Sequence, residues 1–273
     1  MKRILFGAVA VTAVLFVASA GTANAADLSV PAAPPVRPCT WCGFYVGVNA
    51  GYGLTVNSTM SIAGTDTGAA GLGSLLAAGS IPGSVGDTLQ GFAGGGQIGY
   101  NWQFFRDLVF GLEADFDGLA GMNKTTSTGP ILVPGFPTVT TQNDWQANWL
   151  STVRARFGSS VFDDRLFIYG TAGIAIAQWQ LSTTFICPGC VPPSATEAST
   201  SSNEKFTRVG GAIGFGAEWV VVPHLTFRVE YLFTEVGASN DTITYTYPGN
   251  TSSLTTTARD GINDLRAGIN WLF

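Results

Sequence analysis

From Leu225 to Thr234 the chain changes character at almost every step, with Leu232 the exception. Leu225, Phe227, Val229, Tyr231 and Phe233 alternate with Thr226, Arg228, Glu230, Leu232 and Thr234. A side-chain period of two belongs to a β-strand whose two faces meet different surroundings. The preceding segment sets Val209, Ile213, Phe215, Ala217 and Trp219 against Arg208, Gly210, Ala212, Gly214, Gly216 and Glu218. Only Val222-Pro223-His224 separates the two, which predicts a tight hairpin.

The same rhythm recurs upstream. Leu108, Phe110, Leu112, Ala114 and Phe116 oppose Gly111, Glu113, Asp115 and Asp117, while Phe92, Ile98, Tyr100, Trp102 and Phe104 oppose Gln97, Asn101 and Gln103. Further strands are expected over residues 43–53, 145–158, 166–183 and 261–273, about eight in all. In the fifth, Gly170-Thr171-Ala172-Gly173 blurs the alternation and leaves its faces unassigned. Connections near Arg106, Asp163 and Pro223 are short, whereas residues 54–91, 119–144, 184–206 and 235–259 read as long loops rich in Ser, Thr and Gly. A short helix is expected near residues 69–78.

Composition decides what such strands build. The chain is only 11% charged and 12% aromatic and carries 35 glycines, against roughly 25% charged for a soluble domain. Something other than water must cover much of its surface. Beyond the first residues no apolar run is long enough for a spanning helix, and in lipid every backbone polar group must be paired within the protein. The reading is therefore an all-β, closed antiparallel transmembrane β-barrel over residues 43–273 with four long external loops.

A soluble barrel would turn its apolar face inward, so the chemistry of the faces matters. The polar face holds Glu113, Asp115, Asp117, Glu218, Glu230 and Asp264 with Arg154, Arg156, Arg208, Arg228 and Arg266. The lysines that follow the first strand, Lys124 and Lys205, fall in expected loops. Mixed sign with arginine alone suits a packed interior in which guanidinium forks bind carboxylates. A lipid-facing Arg would cost about 2–4 kcal/mol at mid-bilayer. The lumen of a barrel this narrow would be plugged by such a network.

Residues 1–25 read as a cleaved export signal: Lys2 and Arg3, an apolar run from Ile4 to Ala18, and Ala23-Asn24-Ala25 before the scissile bond between Ala25 and Ala26. The mature chain would keep 11 basic against 18 acidic residues, a net charge of −7. That balance argues against a nucleic-acid partner. Residues 26–42, with Pro31, Pro34, Pro35 and Pro38, read as an extended periplasmic tether.

The chain ends Arg266-Ala267-Gly268-Ile269-Asn270-Trp271-Leu272-Phe273, which resembles the C-terminal assembly signal of outer-membrane barrels, with Gly268, Trp271 and Phe273 at its marked positions. Trp41-Cys42-Gly43-Phe44-Tyr45-Val46-Gly47-Val48-Asn49-Ala50-Gly51-Tyr52-Gly53 resembles the first strand of the alphaproteobacterial outer-membrane immunogenic proteins, related to the OmpA-like transmembrane domain. The resemblance implies the outer membrane of a Gram-negative bacterium, contact with its lipid, recognition by the barrel-assembly machinery, and loops that act as surface antigen or meet an extracellular ligand or host surface. It also implies haemin binding in some members. No peptidoglycan-binding domain is expected after the last strand.

Other signals are weaker. Gly94-Gly95-Gly96-Gln97-Ile98-Gly99 fits G-x-G-x-x-G but lies inside a strand rather than between strand and helix. Cys39/Cys42 and Cys187/Cys190 form two C-x-x-C pairs. A shared metal site would have to bridge the membrane, so two local disulfides are expected in an oxidising envelope, ahead of free thiols. His224 sits in a short turn, at the wrong end for a rim hydrolase. Haemin would need a loop tyrosine such as Tyr245 or Tyr247. No cofactor, metal or catalytic residue is assigned. The expected role is structural and surface-interacting; the alternative is a narrow, porin-like pore or a surface ligand receptor.

Overall fold

A computed structural model describes residues 39–67, 72–79, 81, 83–86, 88–104, 107–131, 139–187, 198–247 and 250–273. The export signal, residues 26–38 of the proline-rich tether and Cys190 lie outside the described residues. Nearly all the rest is strand: β1 (Gly43–Asp66), β2 (Ser84–Gly86), β3 (Gln90–Phe104), β4 (Leu108–Ala120), β5 (Asn123–Ile131), β6 (Val139–Val161), β7 (Leu166–Cys187), β8 (Ala198–Val222), β9 (Leu225–Tyr247) and β10 (Asn250–Leu272). One helix, α1 (Leu72–Ala77), falls within the span expected for it.

Each strand pairs antiparallel with its neighbour in the order β10-β9-β8-β7-β6-β4-β3-β1, and β10 returns to β1 from Tyr45↔Leu272 to Asp66↔Ser252. The sheet is a closed barrel. β4 and β5 are two pieces of one wall strand: both pair with β6, and they are interrupted at Gly121, whose φ of 76° suits glycine. Counted so, eight wall strands close the ring.

The strands run much further than the alternation predicts. β7 and β8 stay paired to Cys187↔Ala198, and β9 and β10 to Tyr247↔Asn250. Most of what reads as long loops is therefore hairpin wall. At about 3.3 Å per residue, the 22 residues of β7 extend about 70 Å, whereas about 9–11 tilted residues cross a bilayer. Ser and Thr in these extensions suit a sheet in water, which is why they read as loop.

The lower wall separates its faces cleanly. Val48, Phe92, Phe116, Phe157, Ile174, Phe215 and Leu265 project outward and are exposed, while Glu113, Arg154, Arg228 and Arg266 are buried inside. The faces of β7 are resolved: Phe167, Tyr169, Thr171, Ala175, Ala177 and Trp179 point inward, and Ile168 and Ile174 outward.

The buried lumen as candidate functional site

Three layers of side chains fill the barrel interior. At the short-turn end the Cys39–Cys42 disulfide closes a small loop just before β1, with the two Cα atoms 5.5 Å apart. Trp41, inside that loop, is fully buried, donates its indole N–H to the Asp164 carbonyl at 3.0 Å, and packs on Phe167 at 5.4 Å. Its backbone N–H donates to Gln103 Oε1 at 3.3 Å. Tyr45, Val109, Tyr169 and Leu272 complete the layer. Sequence reasoning missed Trp41, although an indole between two cysteines at the mouth of a strand was a usable signal.

The middle layer is ionic. Arg154 Nη2 donates to Glu113 Oε1 and Asp115 Oδ2, both at 2.7 Å, and its Nη1 reaches Glu230 Oε1 at 3.0 Å. Arg266 donates to Asp117 at 2.9 Å, to Asp115 at 3.0 Å and to Glu230. Arg228 binds Glu113, and Arg156 binds Glu113 and Glu218 while its guanidinium lies 4.1 Å from the centroid of the Tyr169 ring. Neutral groups fill further lone pairs: Tyr169 Oη donates to Glu230 at 2.7 Å, Thr152 Oγ1 to Asp115 at 2.8 Å, and Asn270 Nδ2 to Glu218 at 2.7 Å. Strand adjacency explains two contacts directly, since Glu113 and Arg154 are register partners on β4 and β6, and Glu230 and Arg266 on β9 and β10. Others cross the lumen, as between β6 and β9, and depend on closure.

Two residues depart from the expected network. Arg208 makes no ion pair among the described residues; it stands on β8 opposite Ala177, above the acids, with its guanidinium 5.5 Å from the centroid of the Phe206 ring. Asp264 is inside and 3% exposed, yet among the described residues neither carboxylate oxygen accepts a hydrogen bond. Six lumen acids thus face four arginines rather than five. Close packing also accounts for the G-x-G-x-x-G stretch. A Cβ on Gly95 would stand 1.9 Å from the Phe116 carbonyl oxygen and 2.6 Å from Asp117 Oδ1, and one on Gly99 2.4 Å from the Tyr45 side chain, so Gly95 admits the neighbouring backbone and Asp117, and Gly99 admits Tyr45.

Above the ions lies an apolar layer that the alternation did not reveal. Leu89, Met122, Trp145, Leu150, Trp179, Leu181, Leu232 and Ile262 are buried together, with Trp145 stacked on Trp179 at 5.4 Å. A β-bulge between Ala147 and Trp149 brings Trp145 and Ala147 into this layer. It inserts a residue, so odd positions such as Trp145 face inward before it and even positions such as Leu150 after it. A single period read through residues 145–158 assigns Trp145 to the wrong face.

Among the described residues no cluster of three His, Cys, Asp or Glu is disposed for a metal. His224 occupies the turn before β9 with φ 68°, its Nδ1 2.9 Å from the Leu272 carbonyl oxygen. The side chains of Tyr245 and Tyr247 lie outside the described residues.

An apolar outer wall, a polar lumen core, short turns at one end and extended hairpins at the other define a bacterial outer-membrane barrel. Residues 11–259 match the family model described as outer membrane protein beta-barrel domain, and the chain belongs to that family. It is 31% identical to the 31 kDa outer-membrane immunogenic protein of Brucella melitensis over 88% of this chain and 89% of that one. It is 27% identical to the 22 kDa outer membrane protein of Rhizobium leguminosarum over 74% and 67% of the two chains. Among solved structures, OprG of Pseudomonas aeruginosa is 11% identical, with a TM-score of 0.42 over 85% of this chain and 97% of that one. The protein is thus placed in the outer membrane of a Gram-negative bacterium.

Proposed function

We propose that this protein is a closed barrel with a structural and surface-interaction role, non-enzymatic and without a resident cofactor. The observation that carries the reading is that the Arg154, Arg156, Arg228 and Arg266 side chains are at most 1% exposed between an aromatic layer below and an apolar layer above. A water-filled channel would wet these guanidinium groups. The carboxylates Glu113 and Asp115 are engaged by Arg154, which supports salt bridging over acid–base chemistry. Export would proceed with cleavage between Ala25 and Ala26, and the extended hairpins would meet ligands or host surfaces outside the cell.

Planar-bilayer recordings test the closed lumen. Wild type should show no steady conductance, and Trp41→Ala combined with Glu230→Ala should open one. A stable large conductance in the wild type would replace this reading with the pore. Haemin binding finds less support, because His224 lies at the short-turn end, which is periplasmic on this reading; a haemin Soret shift abolished by substituting Tyr245 and Tyr247 would restore it.

A further inference from the structure

The barrel wall is not closed along its whole height. β8 and β9 are paired from Val222↔Leu225 only as far as Gly210↔Val236. Beyond that level β8 remains paired with β7 to Ala198 and β9 with β10 to Tyr247, but among the described residues the two do not pair with each other. Carried on, the same register would set Phe206 opposite Asn240 and Glu204 opposite Thr242. The cause of the divergence is visible next door. The β9–β10 ladder steps from Val236↔Asp260 to Ser239↔Ala258, placing two β9 residues against one of β10. A bulge of this kind bends the strand that carries it. The wall therefore parts into two flaps, β5-β6-β7-β8 and β2-β1-β10-β9.

We propose that the facing margins of β8 (residues 198–209) and β9 (residues 237–247) form an extracellular cleft that takes up an extended polypeptide segment by strand addition. The inference rests on the outward orientation and surface role proposed above. A strand margin without a neighbour presents a row of N–H and C=O groups, and an added strand satisfies them. Here two such margins continue one interrupted ladder, so an inserted strand would find partners on both sides. Side chains flanking the cleft agree with an open edge: Glu204, Lys205 and Thr207 on β8 and Asn240, Thr242 and Thr244 on β9 are all exposed. Their mix of one acid, one base and neutral groups favours recognition through the main chain over attraction to a highly charged polymer.

The foot of the cleft supplies an anchor point. A groove of about 470 Å³, open on the outer face of the wall, lies where the strands separate, bordered by the exposed Val209 and Ile213 and by Phe233 and Val236, with Glu235 on its margin. Gly211 and Gly237 keep it open, and a Cβ on Gly211 would meet nothing within 4 Å. The fitting partner is an extended segment with one bulky apolar side chain.

The full-length protein in lipid nanodiscs tests this with a synthetic peptide of about ten residues that alternates Thr and Val and carries one Phe. Expected is binding together with slower amide exchange, by about tenfold or more, in residues 198–209 and 237–247. The same peptide N-methylated at alternate amides should not bind. Gly211→Phe fills the anchor groove without a backbone clash and should weaken binding at least about tenfold while leaving the folded barrel's gel mobility unchanged. Equal binding of the methylated peptide, or no exchange protection at these margins, overturns the proposal. So does spontaneous, complete disulfide formation between Glu204→Cys and Thr242→Cys without peptide, because the margins would then already be paired. A nanodisc dimer that excludes the peptide also overturns it, since a second copy would be the occupant. None of these results depends on conductance, so failure here is distinct from failure of the closed-lumen reading.

Discussion

Asp264 and Asp115 carry the same carboxylate and have opposite consequences. Asp115 accepts from Arg154, Arg266 and Thr152, so its loss would take one carboxylate partner from each of two buried guanidinium groups. Asp264 is buried without one hydrogen bond among the described residues. Asp115→Asn should cost about 3–5 kcal/mol, whereas Asp264→Asn should be neutral or stabilising. Urea unfolding in vesicles measures both, and equal losses would contradict the assignment. Outside the membrane, Asp66 behaves differently again. Partial burial pushes its carboxyl up, but the N–H groups of Gly73 at 3.0 Å and Ser74 at 2.8 Å and the Ser74 hydroxyl more than offset this and hold it below the usual range. A lowered folded value means the carboxylate's support of α1 is complete above about pH 4 and is lost as pH falls through the lowered value. Exchange protection of the Gly73 and Ser74 amides, corrected for intrinsic rate, should therefore fall at low pH in the wild type. It should be weak at every pH in Asp66→Asn.

At the scale of elements, β10 closes the ring and ends in an outward row, Ile269, Trp271 and Phe273, all exposed to lipid. Gly268 faces inward, where a Cβ would stand 2.9 Å from the Val48 carbonyl oxygen. Removing Phe273 deletes its backbone N–H bond to the Phe44 carbonyl at 2.9 Å and its ring contact with Phe44 at 6.0 Å. It also removes the terminal residue of the expected assembly signal. The folded fraction in outer membranes should drop several-fold, read from fractionated cells. Assembly equal to wild type would mean that the machinery does not read this terminus.

For the whole molecule, closure is what gives the ionic layer its value. Glu230 on β9 is reached by Arg266 from the adjacent β10 and by Arg154 from β6 across the lumen. Its removal leaves both without a carboxylate partner there and should lower barrel stability by about 3–5 kcal/mol, compared with about 0–1 for an exposed pair. The wild-type barrel should migrate differently on a gel before and after boiling, and Glu230→Ala should lose that shift at a lower temperature. An unchanged transition would show the layer to be water-screened.

The alternation of residues determined much of this protein by itself, because a strand's side-chain period is a local property of the backbone. It determined the strand class, the outward aromatic and aliphatic face, and the inward position of Glu113, Arg154, Arg228 and Arg266. The Cys39–Cys42 bond was equally local. Tertiary structure decided what local rules do not contain. The bulge near Ala147 exchanged the faces of β6 and added Trp145 to the apolar layer over the ions, and Ser- and Thr-rich segments became wall because a paired neighbour satisfied their backbone. The partner of each guanidinium depended on closure and register, which bring β6 and β9 together across the lumen and leave Arg208 out of reach of the acids. The seam between β8 and β9 is likewise a matter of register, since a bulge costs one residue in the sequence and redirects every residue that follows it.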